Sequence, residues 1–482
     1  MSRAQMLGML ALMYAAVVVV IAVWGHRRTH HPNDYLVAGR RGGAFLVGLG
    51  QAFNLLPVWL MLLLSASAFT WGLSAAWAAG ALWVAGLIQS VFVAPRARQL
   101  AAGQHSYTLT QMLSCESGDR MQKVIVRSAS FLIGLATLVM IVIQLQLVDT
   151  ILAPIRMTDL FGLTLLGAFL MCVGTAGWWA NAALEAMHAL LMLLIAGLTA
   201  LLAYVALGGW HEIELATRAL EPEFSQWDGG RKLIVAIAFV GGWLSLAGLP
   251  LGQPGLCNRA IAARDAHTVR TSAILHMLWL TSMLPALLAI GWLARVLYSG
   301  LQQPELALLE MVRRSLHPAI SATVAMILVG AILANVVAQF GTLSALFVND
   351  LRPRKTQLHP EWSRVWTVVM VVCGLLLLHF ARTFALADVM FCWTALGAAL
   401  APLLLVRLSG KRVRGGSIIG AMSAGFMLVC VFHAMPDAPG DFLERVLPFV
   451  AGLGIALSGG ERRRNPDRAD RAEETVHDRL PI

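Results

Sequence analysis

The sequence predicts an all-α polytopic membrane protein built from two inverted repeats of five helices each. Three observations predict it. The chain of 482 residues is 58% hydrophobic and only 13% charged, with a mean hydropathy of +0.72, whereas soluble domains carry about 25% charged residues. Apolar stretches of about 20 residues, each long enough to cross a bilayer, recur along the whole length. Two of these stretches are broken in the middle, at matching places in the two halves. One runs from Gly48 to Leu64 with Pro57 inside it; the other runs from Gly241 to Cys257 with Gly248, Pro250, Gly252 and Pro254. A helix in lipid satisfies its own backbone, so an interruption at mid-depth survives only where protein or a water-filled cavity receives the freed groups. Paired interruptions in corresponding segments are the sequence pointer to a transporter's binding site.

About thirteen spans follow in order. The first, near 5–25, is uncharged and lacks a small-residue cleavage site, so it reads as an added N-terminal helix over 1–26 and not as a signal peptide. The core, 27–410, holds two repeats at about 44–208 and 232–407. Segments near 44–66, 72–95, 124–148, 158–178 and 183–208 make the first; segments near 232–257, 272–297, 319–349, 365–381 and 385–407 make the second. An odd number of spans per repeat inserts the second one upside down. Two further spans, near 416–434 and 442–459, form a C-terminal addition over 411–460. The charged tail 461–482 has no apolar face and reads as disordered or surface-associated.

Basic residues fix the expected orientation. With the N-terminus outside, the inner loops hold Arg27, Arg28, Arg40, Arg41, Arg96, Arg98, Arg120, Lys123, Arg259, Arg264, Arg270, Arg352, Arg354, Lys355, Arg364, Arg407, Lys411, Arg412 and Arg414. The outer loops carry few, Arg3, Arg156, Arg218, Arg313, Arg314 and Arg382 among them. The expected place is the cell inner (plasma) membrane, with the C-terminus cytoplasmic. This distribution accounts for the net charge of +10 as attraction to anionic lipid, so no nucleic-acid partner is expected. The six cysteines form no CxxC pair and read as packing residues. No paired catalytic carboxylates, His-rich metal motif or nucleophile elbow points to an enzyme.

Four blocks carry a family likeness. They are NDYLVAGRRGGAFLVGLG (Asn33 to Gly50), GWWANAALEAMHALLM (Gly177 to Met192), LGQPGLCNRAIAARDAHTV (Leu251 to Val269) and AQFGTLSALFVNDL (Ala338 to Leu351). Together they resemble the solute:sodium symporter family, above all its sodium/proline symporters, over about residues 30–410. The resemblance implies a LeuT-type fold and sodium-coupled uptake of small solutes. It also implies that backbone carbonyls of the first broken helix and a Ser/Thr pair on the ninth span ligate sodium, and that an Asp in the first break matters. At those positions this chain has Leu55 for the Asp, Ala334 and Asn335 for the hydroxyl pair, and Pro57 for a Ser. Met140 stands where a Tyr is usual, and Glu185 where an Asp is usual.

Each candidate site residue has two readings. Gln253 and Pro254 lie in the second break and either line the solute site or shape the kink. Trp59 follows the first break and Trp243 opens the second; each either stacks on solute or anchors and packs. Gln51, Asn54, Asn335 and Gln339 lie on spans expected to face each other across an ion site, where each is otherwise a helix–helix hydrogen bond. Glu185 and His188, three apart on one helical face, either pass protons or hold the bundle together. The expected function is secondary active, symporter-like transport of a small organic solute such as an amino acid by alternating access. Sodium, or protons through Glu185 and His188, is the coupling ion, with no cofactor besides; solute and membrane lipid are the partners. The alternatives are an uncoupled carrier and a transporter-shaped solute sensor or accessory subunit.

Overall fold

The computed structural model describes residues 3–115, 117–152, 160–351, 360–381, 384–436 and 438–462. Arg156, Arg352, Arg354, Lys355, Arg382 and the tail from 463 lie outside the described residues. Helix α1 (Arg3–His26) precedes a short α2 (Pro32–Val37). The first broken span is α3 (Ala44–Leu55) followed by α4 (Val58–Trp71). Then come α5 (Ala76–Ile88), α6 (Ala94–Gly103), α7 (Leu109–Ser114), α8 (Asp119–Ile151), α9 (Leu160–Ala176) and α10 (Trp178–Ala206). After α11 (Trp210–Arg218), the second broken span is α12 (Leu233–Leu244) followed by α13 (Pro254–Ile261). The rest are α14 (Ala266–Leu297), α15 (Ala307–Ser315), α16 (Pro318–Ala345), α17 (Pro360–Phe380), α18 (Leu386–Leu408), α19 (Gly415–His433) and α20 (Phe442–Ser458).

All thirteen expected segments contain helix, but among the described residues ten helices are long and apolar enough to cross a membrane by themselves. The number differs for physical reasons. The breaks cut spans into short arms such as Ala44–Leu55, and the stretch Val58–Gly103 is helical through its turns and counts once. Helices α9 and α20 each span only 17 residues.

The two breaks have different construction. Leu56 precedes a proline, which disfavours helical backbone there, and it sits at φ −125°, ψ 71°. Pro57 is extended at φ −67°, ψ 161° and starts α4, its carbonyl accepting from the N–H groups of Leu60 and Met61. The second break is longer: tight turns over Ser245–Ala247 and Leu249–Gly252, then extended Gln253 leading into Pro254 at the first turn of α13. That turn lies directly on the α18 backbone. A Cβ at Gly252 would stand 2.7 Å from the Ala401 nitrogen, so only glycine permits the approach.

Helices α3 and α4 pack on α14, α3 also on α10 and α13, and α10 on α16. Helix α1 lies against α9, α10 and α16, whereas α19 and α20 cover α18. Leu12, Val20, Leu194, Ile274, Leu278 and Leu376 project from the outer surface. Basic loops gather on one face: Arg40 donates to the Ala101 carbonyl at 2.7 Å, Arg98 to those of Ala263 and Arg264, and Arg407 to that of Met112 at 2.9 Å.

Candidate functional site

A central cavity lies between the two breaks. Asn54, Pro57 and Trp59 line it from the first, and Gln253, Pro254 and Gly255 from the second. Thr137 and Met140 of α8, Asn335, Ala338, Gln339 and Thr342 of α16, and Trp393 and Leu396 of α18 complete the wall. Asn54, Pro254, Gly255, Ala338 and Thr342 also line a second cavity, which runs past Asn181 and Arg259 to Tyr107, Thr108 and Thr110 near the basic face. A third cavity on the other side is lined by Leu60, Leu63, Trp71, Trp243, Met390, Asp441, Glu444 and Arg445, and shares no lining residue with the central one. Between them Trp59 and Trp393 meet edge to face, with ring centroids 5.8 Å apart.

The central wall is neutral and amide-rich. Gln253 Nε2 donates to the Trp393 carbonyl at 2.9 Å, which ties the second break to α18. Trp59 is buried, and its indole N–H has no protein partner among the described residues. Gln144 Nε2 donates to Gln339 Oε1 at 2.9 Å, and Gln339 Nε2 donates to Asn335 Oδ1 at 3.0 Å. Asn54 Nδ2 donates back to the Gly50 carbonyl at 2.8 Å, while a Cβ at Gly255 would lie 2.4 Å from Asn54 Oδ1. The two broken spans therefore touch, and a side chain at 255 would collide with Asn54.

Not every expected site residue reaches this cavity. Trp243 lines the third cavity, edge-on to Trp71 at 5.4 Å and beneath the Arg445 guanidinium at 4.6 Å. It stands at the end of α12 that leads into the break, ten residues before Gln253, and that length of helix and turn carries it roughly 15 Å away along the axis. Gln51 is buried but lines neither the central nor the basic-side cavity.

Glu185 and His188 share a helix yet face different partners. Glu185 Oε1 lies 2.7 Å from Arg259 Nη2, and both side chains are almost fully buried. With its amide turned to satisfy both neighbours, Asn181 accepts from Arg259 Nη2 at 3.1 Å and donates to the Ala334 carbonyl at 3.3 Å. The Arg259 guanidinium also sits 4.9 Å from the Trp178 ring centroid. His188 Nδ1 donates to the Leu184 carbonyl at 2.7 Å, so in the neutral ring Nε2 accepts from the Tyr14 hydroxyl at 3.1 Å. His188 therefore joins α10 to the added helix α1, and the expected Glu185–His188 proton pair is not what these contacts build. In the sequence Arg259 reads as a loop charge, and Asn181 and Tyr14 do not stand out. The spacing of Trp178, Asn181, Glu185 and His188, one stripe of α10, was the available signal.

Hard cations take several oxygen ligands. Around α3 and α16 the Asn335 oxygen is engaged by Gln339, the Ala334 carbonyl by Asn181 and the Gly50 carbonyl by Asn54, while Leu55 is buried and apolar. Among the described residues, the one charged side chain lining the central or basic-side cavity is the cation Arg259. This set does not fit sodium.

The sequence pattern of the sodium:solute symporter family matches residues 35–427, which takes in both breaks, α10 and α16. The chain belongs to the sodium:solute symporter family. It is a secondary transporter of a small solute and not an enzyme. A sodium/proline symporter of Salmonella typhimurium is 22% identical over 465 residues, covering 92% of this chain and 91% of that one. The high-affinity proline transporter PutP of Bacillus subtilis is 23% identical, covering 90% and 94%. Among solved structures, a substrate-bound, outward-open sodium-coupled sialic acid symporter superposes with a TM-score of 0.74 at 15% identity, over 95% of this chain and 99% of that one. The nucleobase-cation symporter Mhp1, closed with bromovinylhydantoin bound, gives a TM-score of 0.54 at 16% identity over 89% and 93%. This family member thus has the LeuT-type fold of two inverted five-helix repeats.

Proposed function

We propose that this carrier moves a small zwitterionic amino acid of the proline type, bound in the central cavity between the breaks. The observation that carries this reading is a pair of free polar atoms on one neutral wall. The Trp59 indole N–H takes no protein acceptor, and the Gln253 carboxamide oxygen takes no protein donor once its nitrogen is spent on Trp393. One is placed to donate to a solute carboxylate, the other to accept from a solute amine. The breaks add the first amides of α4 and α13 and the last carbonyls of α3, which have no intrahelical partner and carry the helix-end partial charges. The Trp59 and Trp393 rings offer an apolar surface for a small ring or alkyl group. Two relatives carry proline transport in their names, which supports the same class.

The basic face is read as cytoplasmic, so the charged third cavity opens outside and the Trp59–Trp393 pair stands between it and the solute. The apolar outer surface faces lipid. Helices α3–α10 and α12–α18 form the moving core, and α1, α19 and α20 flank it. Uptake of a panel of labelled amino acids into proteoliposomes tests the reading. Saturable uptake of proline or a similar small neutral amino acid is expected. Saturable binding with no uptake at all would replace the carrier with a solute sensor.

A further inference from the structure

We propose that the Arg259 guanidinium is a resident cation of the transport core, and that this carrier binds no sodium ion between its helices. An arginine side chain stays protonated at any pH a protein meets, and its planar fork serves several acceptors at once. Arg259 turns one end of that fork, Nη2, to the meeting point of the broken spans and their neighbours, while Nη1 takes no acceptor among the described residues. It sits on α13, one helical stretch after the second break, and pairs with Glu185 of α10 at 2.7 Å. Through Asn181 it reaches the Ala334 carbonyl of α16. A Cβ on Gly50 of α3 would stand 3.2 Å from Arg259 Cδ and 3.1 Å from Glu185 Oε2, so the ion pair lies directly on the α3 backbone. One covalently attached cation therefore gathers α3, α10, α13 and α16, the office a bound metal ion would otherwise fill.

Charge balance closes the same place to a second cation. Arg259 and Glu185 sum to zero, and no carboxylate lines the central or basic-side cavity among the described residues. Leu55, fully buried at the end of α3, brings no charge. A sodium ion here would leave a positive charge uncompensated in a low-dielectric interior, beside a guanidinium that repels it. Three of the nearest oxygens, Asn335 Oδ1 and the Gly50 and Ala334 carbonyls, already accept hydrogen bonds.

The test needs no solute and so stands apart from the solute reading, whose failure would show in the uptake assay alone. Purified full-length carrier in detergent is given radioactive sodium in a scintillation proximity assay, and its thermal unfolding is followed in sodium chloride and in choline chloride at equal ionic strength. The wild type is expected to show no saturable sodium binding and the same melting temperature in both salts. Arg259→Gln, at alkaline pH where Glu185 is left ionised and unpaired, is expected to gain sodium-dependent stabilisation, and Glu185→Gln added to it to remove that gain. Where Arg259→Gln fails to fold, Arg259→Lys keeps the charge and must remain indifferent to sodium. Saturable sodium binding by the wild type overturns the proposal, as does a folded Arg259→Gln protein with no response or an Arg259→Lys protein that becomes sodium-dependent.

Discussion

Two adjoining regions meet at Asn54 and follow opposite rules. The central cavity is neutral: amides, prolines and two tryptophans, with the Trp59 N–H and the Gln253 oxygen left unspent. The core behind Gly50 is ionic: Glu185 and Arg259 are buried together and braced by Asn181. A group left unpaired invites a ligand, because desolvated polar atoms are costly until something bonds them. A charge already paired rejects one, because it has its counter-ion. The difference separates solute recognition from the cation's place within a few residues of the same break.

The comparison breaks most visibly at the ion pair. Arg259→Gln leaves a buried carboxylate without a partner, and we expect a loss of about 3–5 kcal/mol in unfolding free energy. The double change with Glu185→Gln should recover much of it in denaturant or thermal unfolding. A single variant as stable as wild type would show that the pair holds nothing. The cavity side responds less. Gln253→Ala removes the donor to the Trp393 carbonyl and should cost about 1–3 kcal/mol of stability, with weakened solute binding. Unchanged solute binding would take Gln253 out of the site. Trp59→Phe keeps a ring but deletes the N–H, so the half-saturation constant for uptake should rise about tenfold, roughly 1.4 kcal/mol, while the melting temperature stays close to wild type. A loss of stability without a change in affinity would make Trp59 a packing residue only. The smallest expected effect is at Tyr14→Phe, which removes the His188 hydrogen bond and about 1 kcal/mol of stability. Solute uptake and its pH profile should be untouched, in contrast to a proton relay through His188, whose pH profile would shift.

What the sequence revealed followed the strength of local signals. Both breaks were legible because Pro57, Pro250 and Pro254 alter the backbone wherever they occur. Their cavity was legible too, since freed backbone must face one. The number of spans was less so, because length and hydropathy cannot distinguish a bent helix from two: Val58–Gly103 runs through its turns as one. Glu185 stood out as a carboxylate in an apolar run, but its partner did not. Arg259 sits 74 residues away, on a helix of eight residues that reads as a loop in a hydropathy profile. His188 was grouped with Glu185 by spacing alone, yet its ring turns to Leu184 and Tyr14, a choice made by a helix that the repeat pattern places outside the core. Trp243 is near a break in sequence, but the two ends of that break are ten residues apart.

Solute counterflow joins the two halves of the comparison in one reading. Proteoliposomes loaded with unlabelled solute exchange it for labelled solute outside, with no ion gradient imposed and sodium wholly replaced by choline. The account predicts saturable exchange at the same rate, within about twofold, in sodium and in choline, because the cation that holds the core together is already part of the chain. Exchange that appears only when sodium is present would contradict it.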